Sequence, residues 1–278
     1  DLPKIDPVPG KEYFLTLEFR AKPNYHPLVK AGHLLSWDQF KLPLGKPSVF
    51  AAPSGKIKIS DNASSVVLMG EGFVVAFDKQ AGVLSSFKSN GKELLAAGGR
   101  IELSRAQTDN ERGQKPPYNP RWNDVKCVVE SVNVVSVGDA ARVTVRKLIP
   151  EVRGSFVAIY TVYGNGEVAV DTAYDFKQTP QFIGPPLRVG MEWKLPAAFE
   201  NMAWFGRAGE TYSGRAFEPI GVYQSTVDDE WVDYSRPQEN GNKTGVRWVA
   251  FTDDSGDGLL ISAQGAPLGI GARHYSKQ

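Results

Sequence analysis

Between Lys56 and Phe176, apolar residues return at every second position in run after run, and most runs stop at a glycine or asparagine turn. K-I-K-I-S, S-V-V-L-M, F-V-V-A-F and V-L-S-S-F-K fill 56–88, and S-N-G-K at 89–92 supplies an Asn-Gly hairpin turn. V-K-C-V-V-E-S-V-N-V-V-S-V (125–137) and A-R-V-T-V-R-K-L-I (141–149) flank Gly138-Asp139. F-V-A-I-Y-T-V-Y (156–163) and E-V-A-V-D-T-A-Y-D-F (167–176) flank Gly164-Asn165-Gly166, and further on V-R-W-V-A-F-T and G-L-L-I-S-A flank D-D-S-G-D-G (253–258). A period of two puts alternate side chains on opposite faces of a strand. No window carries a helical i, i+3, i+4, i+7 stripe longer than ten residues. The expected fold is therefore all-β, a large antiparallel sandwich, with no room for the eight helices of a (β/α)₈ barrel.

The first residues read differently. In E-Y-F-L-T-L-E-F-R-A-K (12–22), Tyr13, Leu15, Leu17, Phe19 and Ala21 share one face and Thr16, Glu18, Arg20 and Lys22 the other, which predicts a half-buried strand. H-L-L-S-W-D-Q-F-K-L-P, from His33 to Pro43, predicts a second. Two strands do not make a sandwich, so residues 1–48 are expected to close a domain that starts upstream. The Pro/Gly/Ser-rich stretch from Gly45 to Gly55 is the candidate boundary, with a second domain over 55–278.

Composition narrows the partners. A 41% hydrophobic share is enough for a real core, and 32 basic residues nearly cancel 31 acidic ones. That balance supplies no attraction to nucleic acid or an anionic membrane, and no apolar run reaches spanning length. Cys127 is the only cysteine, which excludes an intrachain disulfide or a Cys-based zinc site, and it reads as a small core residue. A chain starting at Asp1 reads as a fragment, and its compartment stays open.

Three polar stretches break the strand rhythm: Arg105 to Arg121, Trp204 to Arg215, and Tyr234 to Arg247. Each combines Arg, a carboxylate, an amide or hydroxyl, and a nearby ring. Sugar sites use that mixture, because rings stack on apolar sugar faces and planar polar groups grip hydroxyl pairs. Long loops capping a sandwich use the same residues to satisfy their own backbone. Asp109, Glu111, Glu210 and Glu239 are the carboxylates to weigh for glycoside hydrolysis, which needs two of them facing each other. Asp228-Asp229-Glu230 reads as a solvated acidic rim, and D-D-S-G-D-G as a turn, since it lacks the downstream Glu of a calcium loop.

W-F-G-R-A-G-E-T-Y-S-G-R followed by Y-Q-S-T-V-D-D-E-W-V-D-Y-S-R-P-Q-E-N-G-N-K-T-G-V-R-W resembles the C-terminal domain of bacterial β-galactosidases of glycoside hydrolase family 2. R-A-Q-T-D-N-E-R-G resembles that family's R-A-P-T-D-N-D-x-G stretch, and the two N-terminal strands resemble the end of its immunoglobulin-like domain. The resemblance implies a galactose-mutarotase-like supersandwich from about residue 55. In this family the cleaving Glu pair sits in a (β/α)₈ barrel, expected upstream of Asp1, as is any Mg²⁺ or Na⁺ the parent uses; no cofactor is expected within these residues. The family domain also continues past His274, with a Trp there lining the substrate pocket. Two departures touch Glu210: the family's Pro is missing, and Gly214 stands for an Asp.

The resemblance implies a non-catalytic part of an enzyme that hydrolyses terminal β-galactosides with retention. It implies a surface built from Arg105, Asp109, Asn110, Arg207, Glu210, Tyr212, Arg215, Arg236, Glu239, Asn240 and Arg247, either bordering the active site or binding galactosides weakly. The expected partners are the barrel and other domains of the parent, galactoside sugars, and further copies of the chain through open sheet edges. A stand-alone carbohydrate-binding module and an aldose 1-epimerase are the alternatives. An epimerase needs a His acid beside a Glu base, and His26, His33 and His274 lie outside all three clusters.

Overall fold

The computed structural model describes residues 4–47, 53–115, 117–232, 234 and 238–275. Among the described residues, strands β1 (Tyr13–Arg20) and β2 (Leu34–Leu42) pair only with each other. Next come β3 (Lys58–Asp61), β4 (Ser65–Gly70), β5 (Phe73–Asp78), β6 (Val83–Ser89) and β7 (Lys92–Glu93), an antiparallel sheet in sequence order. The β6–β7 turn is Asn90-Gly91 with both residues at positive φ, as the sequence predicted. Strand β8 (Ala97–Glu102) leads to the four-residue helix α1 (Asp109–Arg112).

Strands β9 (Val128–Val137), β10 (Ala140–Ile149), β11 (Gly154–Val162) and β12 (Val168–Asp175) form the predicted meander. After it come β13 (Gly190–Lys194), β14 (Asn201–Arg207), β15 (Ile220–Thr226), β16 (Lys243–Val246), β17 (Trp248–Thr252), β18 (Gly258–Ser262) and β19 (Leu268–Ile270). Strand β13 pairs with β8 and β16 with β19, while β15-β14-β17-β18 is a further sheet. The all-β expectation holds.

The meander and the β3–β7 sheet share one core. Phe73, Val75 and Phe77 of β5 alternate inward, as do Ala141, Val143 and Val145 of β10 and Phe156, Ala158 and Tyr160 of β11. The rings of Phe77 and Tyr160 meet edge-on at 5.0 Å. A second core gathers Met202, Trp204, Val246, Val249 and Phe251, and Phe87, Leu195 and Leu259 touch both.

Strand β1 forms where predicted, but its expected inward face is only partly covered: Leu17 is 44% and Phe19 63% exposed, and only Ala21 at its end is buried. A strand with one pairing partner has no second layer to pack against. The hairpin meets the rest through Phe14 on Phe205, Glu12 on Arg247, and Gln39, which exchanges two hydrogen bonds with the Ile220 backbone. The boundary proposed at Gly45–Gly55 falls largely on residues 48–52, outside the described residues.

Candidate functional site

Thr108 opens α1 with a reciprocal cap: its hydroxyl accepts from Glu111 N–H, and the Glu111 carboxylate accepts from Thr108 N–H at 2.9 Å. The same carboxylate takes both guanidinium arms of Arg105, one at 2.8 Å. Burial alone pushes the Glu111 carboxyl up, but Arg105 and the Thr108 amide outweigh it and hold the group charged. Arg105 also feels the charge of Glu239 nearby, and Asp109 N–H donates to Gln238 at 3.4 Å. The first polar stretch is thereby tied to the third.

Glu239 is the most enclosed of these acids, its side chain 1% exposed. It accepts from Arg188 and has Arg273 at 3.8 Å. Glu210 accepts from the Tyr234 hydroxyl at 2.9 Å, the Gly241 N–H at 3.0 Å and Arg215 at 3.3 Å. Thr211 stitches the second stretch to the third, its N–H donating to Asn242 O and its hydroxyl accepting from Thr244 N–H at 2.9 Å. Tyr212 feels both carboxylates: burial first, then the charges of Glu210 and Glu239, push its phenol up. Its hydroxyl and Glu239 Oε2 are buried without a hydrogen-bond partner among the described residues.

Arg105, Asp109, Glu210, Tyr212, Arg215 and Glu239 thus belong to one linked group. Asn240 closes the adjoining turn, accepting from Val232 N–H and donating to Gln238 O. Asn110 is exposed on α1. Arg207 and Arg247 form a separate pair flanking Gly245. Arg247 grips Glu12 and lies over Phe14 and Phe205, while Arg207 donates to the Glu218 carbonyl. Arg236 lies outside the described residues.

Sequence reasoning missed Arg188 and Arg273. Arg188 lies 51 residues from its carboxylate, in a stretch with no polar clustering, so no local pattern announced it. The polar stretches also contribute strands: Trp204–Arg207 completes β14, and β16 begins at Lys243. Lys243 is 1% exposed, with its ammonium on Glu230 and 4.6 Å from the Trp204 ring. Glu230 is therefore not part of a solvated rim, because its carboxylate neutralises a buried cation.

D-D-S-G-D-G is the predicted turn, with Asp253 Oδ1 accepting from the Ser255 and Asp257 amides. His274 sits elsewhere, its ring Nε2 on Glu200 and 3.8 Å from Asp228 at a partly exposed site.

The chemistry of this face is that of arginine–carboxylate clamps holding three loops together at the end of a β-sandwich. Residues 69–278 match the family model described as "Beta galactosidase small chain", and the chain belongs to that family. It is 32% identical over 257 residues to a β-galactosidase of Priestia megaterium, an alignment covering 90% of this chain and 24% of the relative. It is 30% identical over 256 residues to a β-galactosidase of Kluyveromyces lactis (87% and 24%) and 30% identical over 236 residues to one of Lactobacillus delbrueckii subsp. bulgaricus (81% and 22%). The chain thus spans about a quarter of the length of the curated relatives it matches.

Proposed function

We propose that the chain is a non-catalytic, C-terminal part of a β-galactosidase, whose linked arginine–carboxylate face borders the active site of the larger enzyme and holds that border in shape. The observation that carries this reading is how fully the candidate acids are occupied. Glu111 is bound by Arg105, Glu210 by Tyr234, Gly241 and Arg215, Glu239 by Arg188, and Asp109 has Arg112 at 3.3 Å. A carboxylate already held by these donors has little freedom to turn toward a substrate, and Arg105 also keeps the Glu111 carboxyl charged, which a general acid is not. Residues 1–48 then close an immunoglobulin-like domain and 55–278 form a mutarotase-like sandwich. Other domains of the parent would cover Leu17 and Phe19, which in the isolated chain promote self-association. Any metal ion belongs to the barrel.

A second reading, weak galactoside binding, is favoured by the Tyr212 hydroxyl, which has no hydrogen-bond partner among the described residues, and by Glu239 Oε2, which has Arg273 at 3.8 Å but no hydrogen bond. A buried polar atom left unpaired costs about 1–3 kcal/mol, and a sugar hydroxyl or water would relieve it. Incubating the chain with a chromogenic β-galactoside tests the first reading, with no turnover expected and measurable turnover overturning it. Calorimetric titration with galactose and lactose tests the second. Saturable heat lost in Glu239→Gln, a variant that keeps the shape, supports a sugar site; no heat in the folded wild type removes it.

A further inference from the structure

We propose that the cavity between the β5–β6 turn and strand β10 binds a small oxyanion, a single carboxylate or an inorganic phosphate or sulfate, through Lys147 and Trp122. The cavity holds about 240 Å³ and is walled by Ala81, Arg100, Glu102, Trp122, Cys127 and Lys147 among others.

Strand alternation sets the problem. In β10 the inward positions are Ala141, Val143, Val145, Lys147 and Ile149, so a lysine occupies a place the pattern gives to an aliphatic residue. Lys147 is 6% exposed. Its stem crosses Gly82, where an added Cβ would sit 2.8 Å from Cε, and its ammonium donates to Ala81 O at 2.9 Å. That uses one of three donors. Among the described residues no carboxylate lies within 4.0 Å of the ammonium, although a buried cation without a counter-charge is expensive.

Trp122 adds an independent sign. It is 1% exposed, packs edge-on against Phe176 at 5.2 Å, and has a buried indole N–H with no acceptor among the described residues. The acids on the same wall are already engaged: Glu102 accepts from the Ser104 amide and hydroxyl, and Arg100 lies 3.9 Å from both Glu102 and Asp124. The Cys127 thiol is raised by burial, so it stays neutral and supplies no anion. Two residues with unmet donor capacity, one of them cationic, line a cavity whose carboxylates are already engaged. Water alone would satisfy the indole N–H and leave the lysine charge uncompensated, whereas an oxyanion does both. Burial also lowers the Lys147 amine, and a bound anion would restore it.

The test is calorimetric titration of the 278-residue chain with sodium phosphate, sodium sulfate and sodium acetate, each at ionic strength held constant with chloride. Saturable binding by at least one of the three is expected, and the winning salt distinguishes an inorganic from a carboxylate ligand. Lys147→Met should weaken it at least tenfold and Trp122→Phe severalfold, with the Lys147→Met chain melting close to wild type in anion-free buffer. No saturable binding by any of the three, or equal binding by wild type and both variants, overturns the proposal.

Discussion

Lys243 and Lys147 are both inward-facing lysines in β-strands and both nearly sealed from water, yet their surroundings differ in kind. Lys243 has the Glu230 carboxylate, the Gly209 carbonyl and the face of Trp204. Lys147 has the Ala81 carbonyl and a cavity. The first is a closed unit in which charge, hydrogen bonds and packing are met from within the fold, and it pins the loop before β16 to the sandwich. The second is incomplete by the same standard. A buried group that the protein itself satisfies is structural, and one that it leaves short is where a ligand gains most.

Replacing the two lysines by the same residue should break the comparison most visibly. Lys243→Met removes one half of a buried pair and should lose about 3 kcal/mol in urea denaturation, because Glu230 keeps its charge without a partner. Lys147→Met, which removes a cation that has no counter-charge among the described residues and only the Ala81 carbonyl as partner, should lose about 1 kcal/mol or less. Equal losses would mean that Lys147 is compensated after all.

A smaller effect is expected at Gly82, which sits at φ +59° beneath the Lys147 stem. Gly82→Ala should cost about 2 kcal/mol, from backbone strain plus contact with Cε and Val129. Part of that cost should vanish in a Lys147→Ala background, and a double-mutant cycle measures how much. Strict additivity would show that Lys147 does not rest there.

The smallest effect belongs to Glu12, an ion pair at the rim rather than in the core. Hydrogen bonds from Arg247 and then Lys41 hold its carboxyl down to about 2 against an ordinary 4.5, with burial opposing. A depressed folded pKa stabilises above the unfolded value and is lost as pH falls, so the contribution, about 1 kcal/mol after solvent screening, is full at pH 6 and fades between about 4.5 and 2. Glu12→Gln should therefore be less stable than wild type at pH 6 and indistinguishable near pH 2. A gap that persists at low pH would assign the effect to packing.

The hairpins were legible because their signals are local. Asn90-Gly91 and Gly138-Asp139 join strands whose alternation is visible on both sides, and β4, β5, β10 and β11 lie where their patterns placed them. Strands β8, β13 and β16 were not legible, since A-G-G-R-I-E, G-M-E-W-K and K-T-G-V lack clean alternation and exist through pairing with distant partners. Of the candidate site, the acids and Arg105 were named in advance, while Arg188 on Glu239 and Glu230 on Lys243 were not.

From the sequence alone came the period-two pattern and its turns, hence an all-β chain, and the three polar stretches, hence a place to look. Backbone periodicity and turn chemistry act over a few residues, so they survive in a linear reading. Which arginine clamps which carboxylate, and whether a buried lysine meets a counter-charge, are set by approaches across 50 or more residues in pairs such as Arg188–Glu239 and Lys147–Ala81. Only the packed sandwich decides them, because ion pairing and desolvation depend on distance in space and on what has been shut away from water.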